Sequence, residues 1–152
     1  MFLVHDSFEN RQEMIRSTEP FVAVLLAAAD FEWTLRRSIL ALGCKPTKEI
    51  RESVLDKCSG LESYKQAWKK EVQPHVGKSL VEVIPQWQFF KEQAYPLRNR
   101  LVHGIRGNVT QEYASERVEA LLTASRSLVE ITESHGASVY GRNIIRRKER
   151  QL

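Results

Sequence analysis

The chain has 152 residues, 42% of them hydrophobic and 28% charged, with 23 Lys and Arg against 19 Asp and Glu. That length and apolar fraction suit one core-forming domain and exclude general disorder, while seven Gly and five Pro exclude a collagen-like or low-complexity chain. The longest uncharged apolar run, Pro20 to Ala29, is too short to cross a membrane.

The start, Met1-Phe-Leu-Val, meets His5 and Asp6 at once, so no signal peptide is expected. Asp6-x-x-Glu9 is a candidate capping box for a helix running to about Arg16. Thr18-Glu19-Pro20 opens the next helix, since proline fits a first turn where its missing N–H goes unmissed. From there Phe21, Val24, Leu25, Ala28, Leu35, Ile39 and Leu42 recur at steps of three and four, and Gly43 closes the run. Glu32 falls within this apolar stripe, where an acid is costly without a partner, whereas Asp30 lies off it and is expected in solvent. Cys44 and Cys58 lack Cys-x-x-Cys spacing and read as reduced thiols of a cytoplasmic protein.

Thr47 starts a shorter helix with Ile50, Val54 and Leu55 inward, ending near Ser59-Gly60, and Leu61, Tyr64, Trp68 and Val72 continue the period to Pro74. Ser79-x-x-Glu82 is a second capping box, and Pro85 marks a break or restart. Trp87, Phe90, Ala94, Leu97 and Leu101 form another stripe, within which Pro96 should kink the helix by colliding with the carbonyl four residues back. His103-Gly104 ends it, and a final helix spans about Thr110 to His135 with Val118, Leu121, Leu122, Ser125, Leu128, Val129 and Thr132 inward. No stretch sustains two-residue alternation, so the chain reads as all-α, a bundle of four or five helices.

Charge divides the chain into a helical domain, 1–140, and a C-terminal segment, 141–152. The first carries 18 basic and 18 acidic residues; the second carries Arg142, Arg146, Arg147, Lys148 and Arg150 against Glu149, the whole net +4. Such a tail suits sequence-independent contact with nucleic acid, while Tyr140, Ile144 and Ile145 suggest docking as a turn of helix.

One segment combines groups able to act on a phosphodiester. Arg98, Asn99 and His103 lie at the end of a helix, with Arg100 and Arg106 beside them. A guanidinium holds a phosphate through two parallel hydrogen bonds and stabilises charge developing on it. An imidazole, ordinarily titrating near neutrality, takes a proton from a 2′-hydroxyl or gives one to a leaving 5′-oxygen. Asn99 can orient either partner. On an ideal helix Asn99 and His103 share a face, but Arg98 and His103 lie about 140° apart, so joint action needs a bent helix end or two facing copies. His5, His75 and His135 read as surface or helix-terminal residues, and no metal-ligand cluster or Gly-rich phosphate loop is present in the sequence.

Arg98-Asn99-Arg100-Leu101-Val102-His103, followed by Gly104, resembles the Arg-x4–6-His motif of the HEPN family. The resemblance implies an HEPN-like helical bundle, a homodimer that joins two motifs in one cleft, and cofactor-free, metal-independent endoribonuclease activity. It further implies RNA as substrate, an antitoxin or defence-system partner, and a Glu on the long second helix near the motif, so that Glu32 either pairs with Arg98 or Arg100 or, at the edge of its stripe, reaches solvent. Members paired with a nucleotidyltransferase antitoxin usually carry Tyr two places after the His, where this chain has Ile105. A non-catalytic HEPN-like module binding a nucleotide, RNA or a protein partner is the alternative, and a plain helical adaptor with a charged helix end is a third reading.

Overall fold

The computed structural model describes residues 8–104, 110–140 and 144–152, and among them helices and turns account for all regular structure. Helix α1 spans Phe8–Arg16, α2 Pro20–Leu42, α3 Thr47–Ser53, α4 Leu61–Glu71, α5 Gln73–Val76, α6 Leu80–Val83, α7 Trp87–Phe89, α8 Leu97–Val102 and α9 Gln111–Ser134. Asp6 of the first proposed cap lies outside the described residues.

Local chemistry sets most boundaries. Pro20 occupies the first turn of α2 while the Glu19 carboxylate accepts from Val22 N–H at 2.6 Å. Both bonds of the Ser79–Glu82 capping box form. Thr110 accepts from Tyr113 N–H to start α9, and His135 with left-handed Gly136 (φ +73°) ends it. The helix expected from Thr47 to Ser59 instead breaks at Val54 into a 3-10 turn, Leu55–Lys57.

Helices α2 and α9 form the centre and run parallel. Their N-termini share a cavity lined by Pro20, Ala23, Gln111 and Ala114, and towards their C-termini Thr132 Oγ1 donates to Ser38 Oγ at 3.3 Å. Small residues on the facing sides, Ala23, Ala27, Ala124 and Ser125, are buried between them. The inward face expected for α9 is buried throughout, and Trp68, Phe90, Leu97 and Leu101 fill the other side of the core. Phe21, expected inward, is 38% exposed because it sits on the first turn of α2, at the margin of the packing.

Asp30 corrects the expectation of a solvated acid. It is fully buried and accepts from Arg11 Nε at 2.6 Å, while Arg11 Nη2 donates to Tyr140 Oη at 2.8 Å. Rings of Phe8, Trp33 and Tyr140 surround the Arg11 guanidinium at 5.3–5.8 Å. Burial pushes the Asp30 carboxyl up, and the Arg11 charge opposes this.

The C-terminal segment corrects a second expectation. Residues 144–152 dock without forming a helix, as an extended strap over the C-terminus of α2. Thr47 N–H donates to Arg146 O at 2.8 Å, and Arg150 N–H donates to Cys44 O at 2.7 Å. The Arg146 guanidinium donates to the carbonyls of Lys45, Leu40 and Ala41, and that of Arg150 to Gly43 and Ala41. These are carbonyls at or beyond the last turn of α2, where the helix dipole also favours cations. Gly43 is required by space: a Cβ there would lie 2.4 Å from Ile50 Cδ1 and 2.8 Å from Ile39 O. Arg146 and Arg150 are thus half-buried structural caps, Arg147 and Lys148 remain exposed, and Arg142 lies outside the described residues.

Asp30→Ala is expected to cost about 3–5 kcal/mol, because it leaves the Arg11 charge buried without its counter-ion. Arg146→Ala is expected to lower stability by about 2 kcal/mol through charged hydrogen bonds lost from a helix end. Denaturant unfolding of both variants measures these losses; an Arg146→Ala midpoint equal to wild type would show that the strap does not cap α2.

Candidate functional site

The run that carries the motif is not one regular helix. Between α7 and α8 the backbone makes a π turn over Phe90–Ala94, closed by Tyr95 N–H donating to Phe90 O at 2.9 Å. Pro96 follows directly. In an α-helix its ring would strike the Glu92 carbonyl, and it has no N–H to offer that oxygen. The wider turn relieves the collision, and Arg100 Nη2 reaches back to Glu92 O at 3.4 Å. Arg100 is half-buried and serves this turn, which gives it a local structural partner.

Helix α8 is anchored by Leu97 and Leu101, which are 0% and 4% exposed. Arg98 and Asn99 therefore face outward, and both are exposed. Arg98 Nη1 donates to Asn99 Oδ1 at 3.1 Å, so the pair shares one small polar surface. His103 caps the helix, its N–H donating to Asn99 O at 3.0 Å, and its side chain is exposed. Gly104 then turns at φ +70°, a region that favours glycine. Among the described residues no hydrogen bond or ion pair joins Arg98 to His103, in keeping with their opposed azimuths. Val102, between them in sequence, is 51% exposed. Arg106 lies outside the described residues, as does Ile105.

Glu32 takes a different partner from either expected arginine. Its Oε1 accepts from Tyr95 Oη at 2.9 Å. The Tyr95 ring packs edge-on to Phe31 and tilted on Phe90, each at a centroid distance of 6.0 Å. Burial, and then the Glu32 charge, push the Tyr95 phenol well above its ordinary range, so it stays protonated and donates. Beside Glu32 on α2, Arg36 lies 5.3 Å from the ring of buried Tyr64 and donates to Leu55 O at 3.2 Å. Sequence reasoning missed Tyr95 and Arg36. A tyrosine at the edge of an apolar stripe needs a partner for its hydroxyl, and that was the available signal for Tyr95.

The principal cavities lie elsewhere, and none of them is lined by Arg98, Asn99 or His103. Among the described residues no group of three His, Cys, Asp or Glu is placed to hold a metal ion, and no helix is long and apolar enough to cross a membrane. The motif thus presents a guanidinium, an amide and an imidazole as exposed side chains. Comparison with known proteins returns no matching family model, no matching curated protein and no matching solved structure.

Of the other three histidines, His5 lies outside the described residues, and His75 and His135 form a separate pair. The rings of His75 and His135 lie 5.4 Å apart, and His135 Nδ1 meets Ile131 O at 3.0 Å, so that nitrogen carries the proton. His75 Nε2 is buried without a hydrogen-bond partner. Burial, then the charges of Arg150, His135 and Arg146, pull the His75 pKa below its ordinary 6.5. The unfolded chain therefore binds this proton more readily, and stability should fall as pH drops through about 6.5 towards the lower folded value. His75→Gln is expected to flatten that part of the stability–pH curve; an unchanged slope in denaturant titrations at pH 5 to 7 would assign the dependence to another group.

Proposed function

We propose that the chain is an HEPN-like, metal-independent endoribonuclease acting as a homodimer, with Arg98, Asn99 and His103 of each copy in one composite site. The observation that carries this reading is the joint exposure of Arg98, Asn99 and His103 at a helix end whose buried residues, Leu97 and Leu101, fix which way it faces. These side chains take little part in packing, and a guanidinium, an amide and an imidazole in one short segment suit phosphodiester chemistry.

The reaction uses the substrate's own nucleophile. One imidazole removes the proton of the RNA 2′-hydroxyl, and the 2′-oxygen forms a bond to the adjacent phosphorus. The bond to the 5′-oxygen breaks, and a second, protonated imidazole gives that oxygen its proton. The products are a 2′,3′-cyclic phosphate and a free 5′-hydroxyl. Arg98 holds the non-bridging oxygens while charge accumulates on them, and Asn99, already bonded to Arg98, steadies the guanidinium. One motif histidine per chain cannot be base and acid in the same step, and Arg98 and His103 diverge on α8; a two-fold axis supplies the second imidazole and brings an arginine opposite a histidine. Val102 supplies apolar surface within the motif for such a contact. The setting implied by the resemblance, a toxin–antitoxin or other defence system in the cytoplasm, belongs to this same proposal.

A binding module that holds RNA without cutting it is the second reading, favoured by the exposure of the motif away from the principal cavities. Cleavage assays separate the two. His103→Ala is expected to lower the cleavage rate about 10²- to 10⁴-fold and Arg98→Ala about 10²- to 10³-fold, with thermal unfolding unchanged. Activity should persist in EDTA, and RNA methylated at the 2′-oxygen should resist. Full activity in His103→Ala would refute the mechanism; tight RNA binding with no cleavage by the wild type would establish the binding module.

A further inference from the structure

We infer that Tyr95 is a positioning residue for Arg98, and that it acts through its hydrogen bond to Glu32. The inference rests on the ribonuclease reading and adds to it the device that aims the phosphate-binding guanidinium. Arg98 is exposed and, among the described residues, makes one side-chain hydrogen bond, to its own neighbour Asn99. Nothing in the core grips its side chain, so the place of its guanidinium depends on how α8 is rotated and where that helix begins.

Two anchors of α8 are apolar, Leu97 and Leu101. Apolar packing holds a helix against the core but tolerates small rotations, because it is not directional. The preceding π turn adds to this freedom, since the ordinary ladder of hydrogen bonds is interrupted and Pro96 contributes no donor. A directional contact is needed at this point, and Tyr95 supplies it. Its phenol donates to Glu32 at 2.9 Å, and its ring packs against the edge-on pair of Phe31 and Phe90, both fully buried. Glu32 itself stands on α2, flanked by buried Phe31 and Leu35. Tyr95 precedes Arg98 by three residues, one turn back on the same side of the run. The hydrogen bond thus transfers the rigidity of α2 to the turn from which Arg98 projects.

The acceptor, not the negative charge, is what this role requires. A glutamine at position 32 keeps an oxygen that the phenol can reach, whereas alanine removes it, and Tyr95→Phe removes the donor while keeping the ring. Tyr95→Phe and Glu32→Ala should each lower kcat for RNA cleavage about tenfold with KM within twofold, and Glu32→Gln should lose less than threefold. Because Tyr95 acts through Arg98, adding Tyr95→Phe to Arg98→Ala should cost nothing further; a general loss of packing would add in full. The Arg98 Nε–Hε resonance of the free protein should move in Tyr95→Phe and Glu32→Ala and keep its position in Glu32→Gln. That measurement needs no RNA, so it judges the positioning role even if the wild type cuts no RNA and the ribonuclease reading fails. An unmoved Arg98 resonance in Tyr95→Phe, or an additive double variant, overturns the inference.

Discussion

Helix α2 imposes the constraint that the rest of the structure answers. It is 23 residues long and buried along most of its length, so any polar group on its inward faces must find a partner inside the protein. Asp30 finds Arg11, which ties α1 to the centre and draws Tyr140 over the pair. Thr34 donates back to Asp30 O, and Ser38 accepts from Thr132 of α9. At the C-terminus, carbonyls that no later turn can satisfy receive the guanidinium groups of Arg146 and Arg150. Elements far apart in sequence are thus gathered by the needs of a single helix.

The candidate site inherits its rigidity from the same helix. Its candidate side chains are exposed, which keeps them available but deprives them of packing. The compensation lies beneath them: Leu97 and Leu101 in the core, Arg100 closing onto the Glu92 carbonyl, and Tyr95 joined to Glu32. Arg100 and Glu32 are neighbours of the motif in sequence or in space, yet their contacts are with the scaffold. The distinction matters chemically, because a charged residue held by the backbone scaffold is a poorer phosphate ligand than one that meets only an exposed neighbour, as Arg98 meets Asn99.

Much of the architecture was legible in the sequence because it follows from local rules. Proline at a first turn, Ser79 with Glu82, Thr110, and Gly104 and Gly136 after their histidines mark helix ends by short-range chemistry, and the three-and-four stripes mark the buried faces. What could not be read was long-range and polar. Arg11 sits in a short charged helix and looks solvated until Asp30 is placed across from it. The tail looks like a free basic arm because charge counts do not reveal where carbonyls lack donors. Around the site, the motif itself and its exposure follow from spacing, whereas the Tyr95–Glu32 bond depends on a π turn that alters the helical phase, and periodicity analysis assumes that phase constant.

The parallel pairing of α2 with α9 has a consequence for biosynthesis. α2 ends at Leu42 and α9 begins at Gln111, so 68 residues separate the most apolar helix from its main partner. At translation rates of about 5–20 residues per second, that interval lasts roughly 3–14 s. During it the nascent chain holds a helix whose apolar face is uncovered, with Asp30 on that face and Tyr140 not yet made. The strap comes later still, and without it the last carbonyls of α2 have only water. Contacts such as Arg146 with Lys45, 101 residues apart, make the fold's closure a late and non-local event for an all-helical chain. Emergence from the ribosome is therefore the stage at which the apolar face of α2 is left longest without its partners, and uncovered apolar surface of that kind favours aggregation.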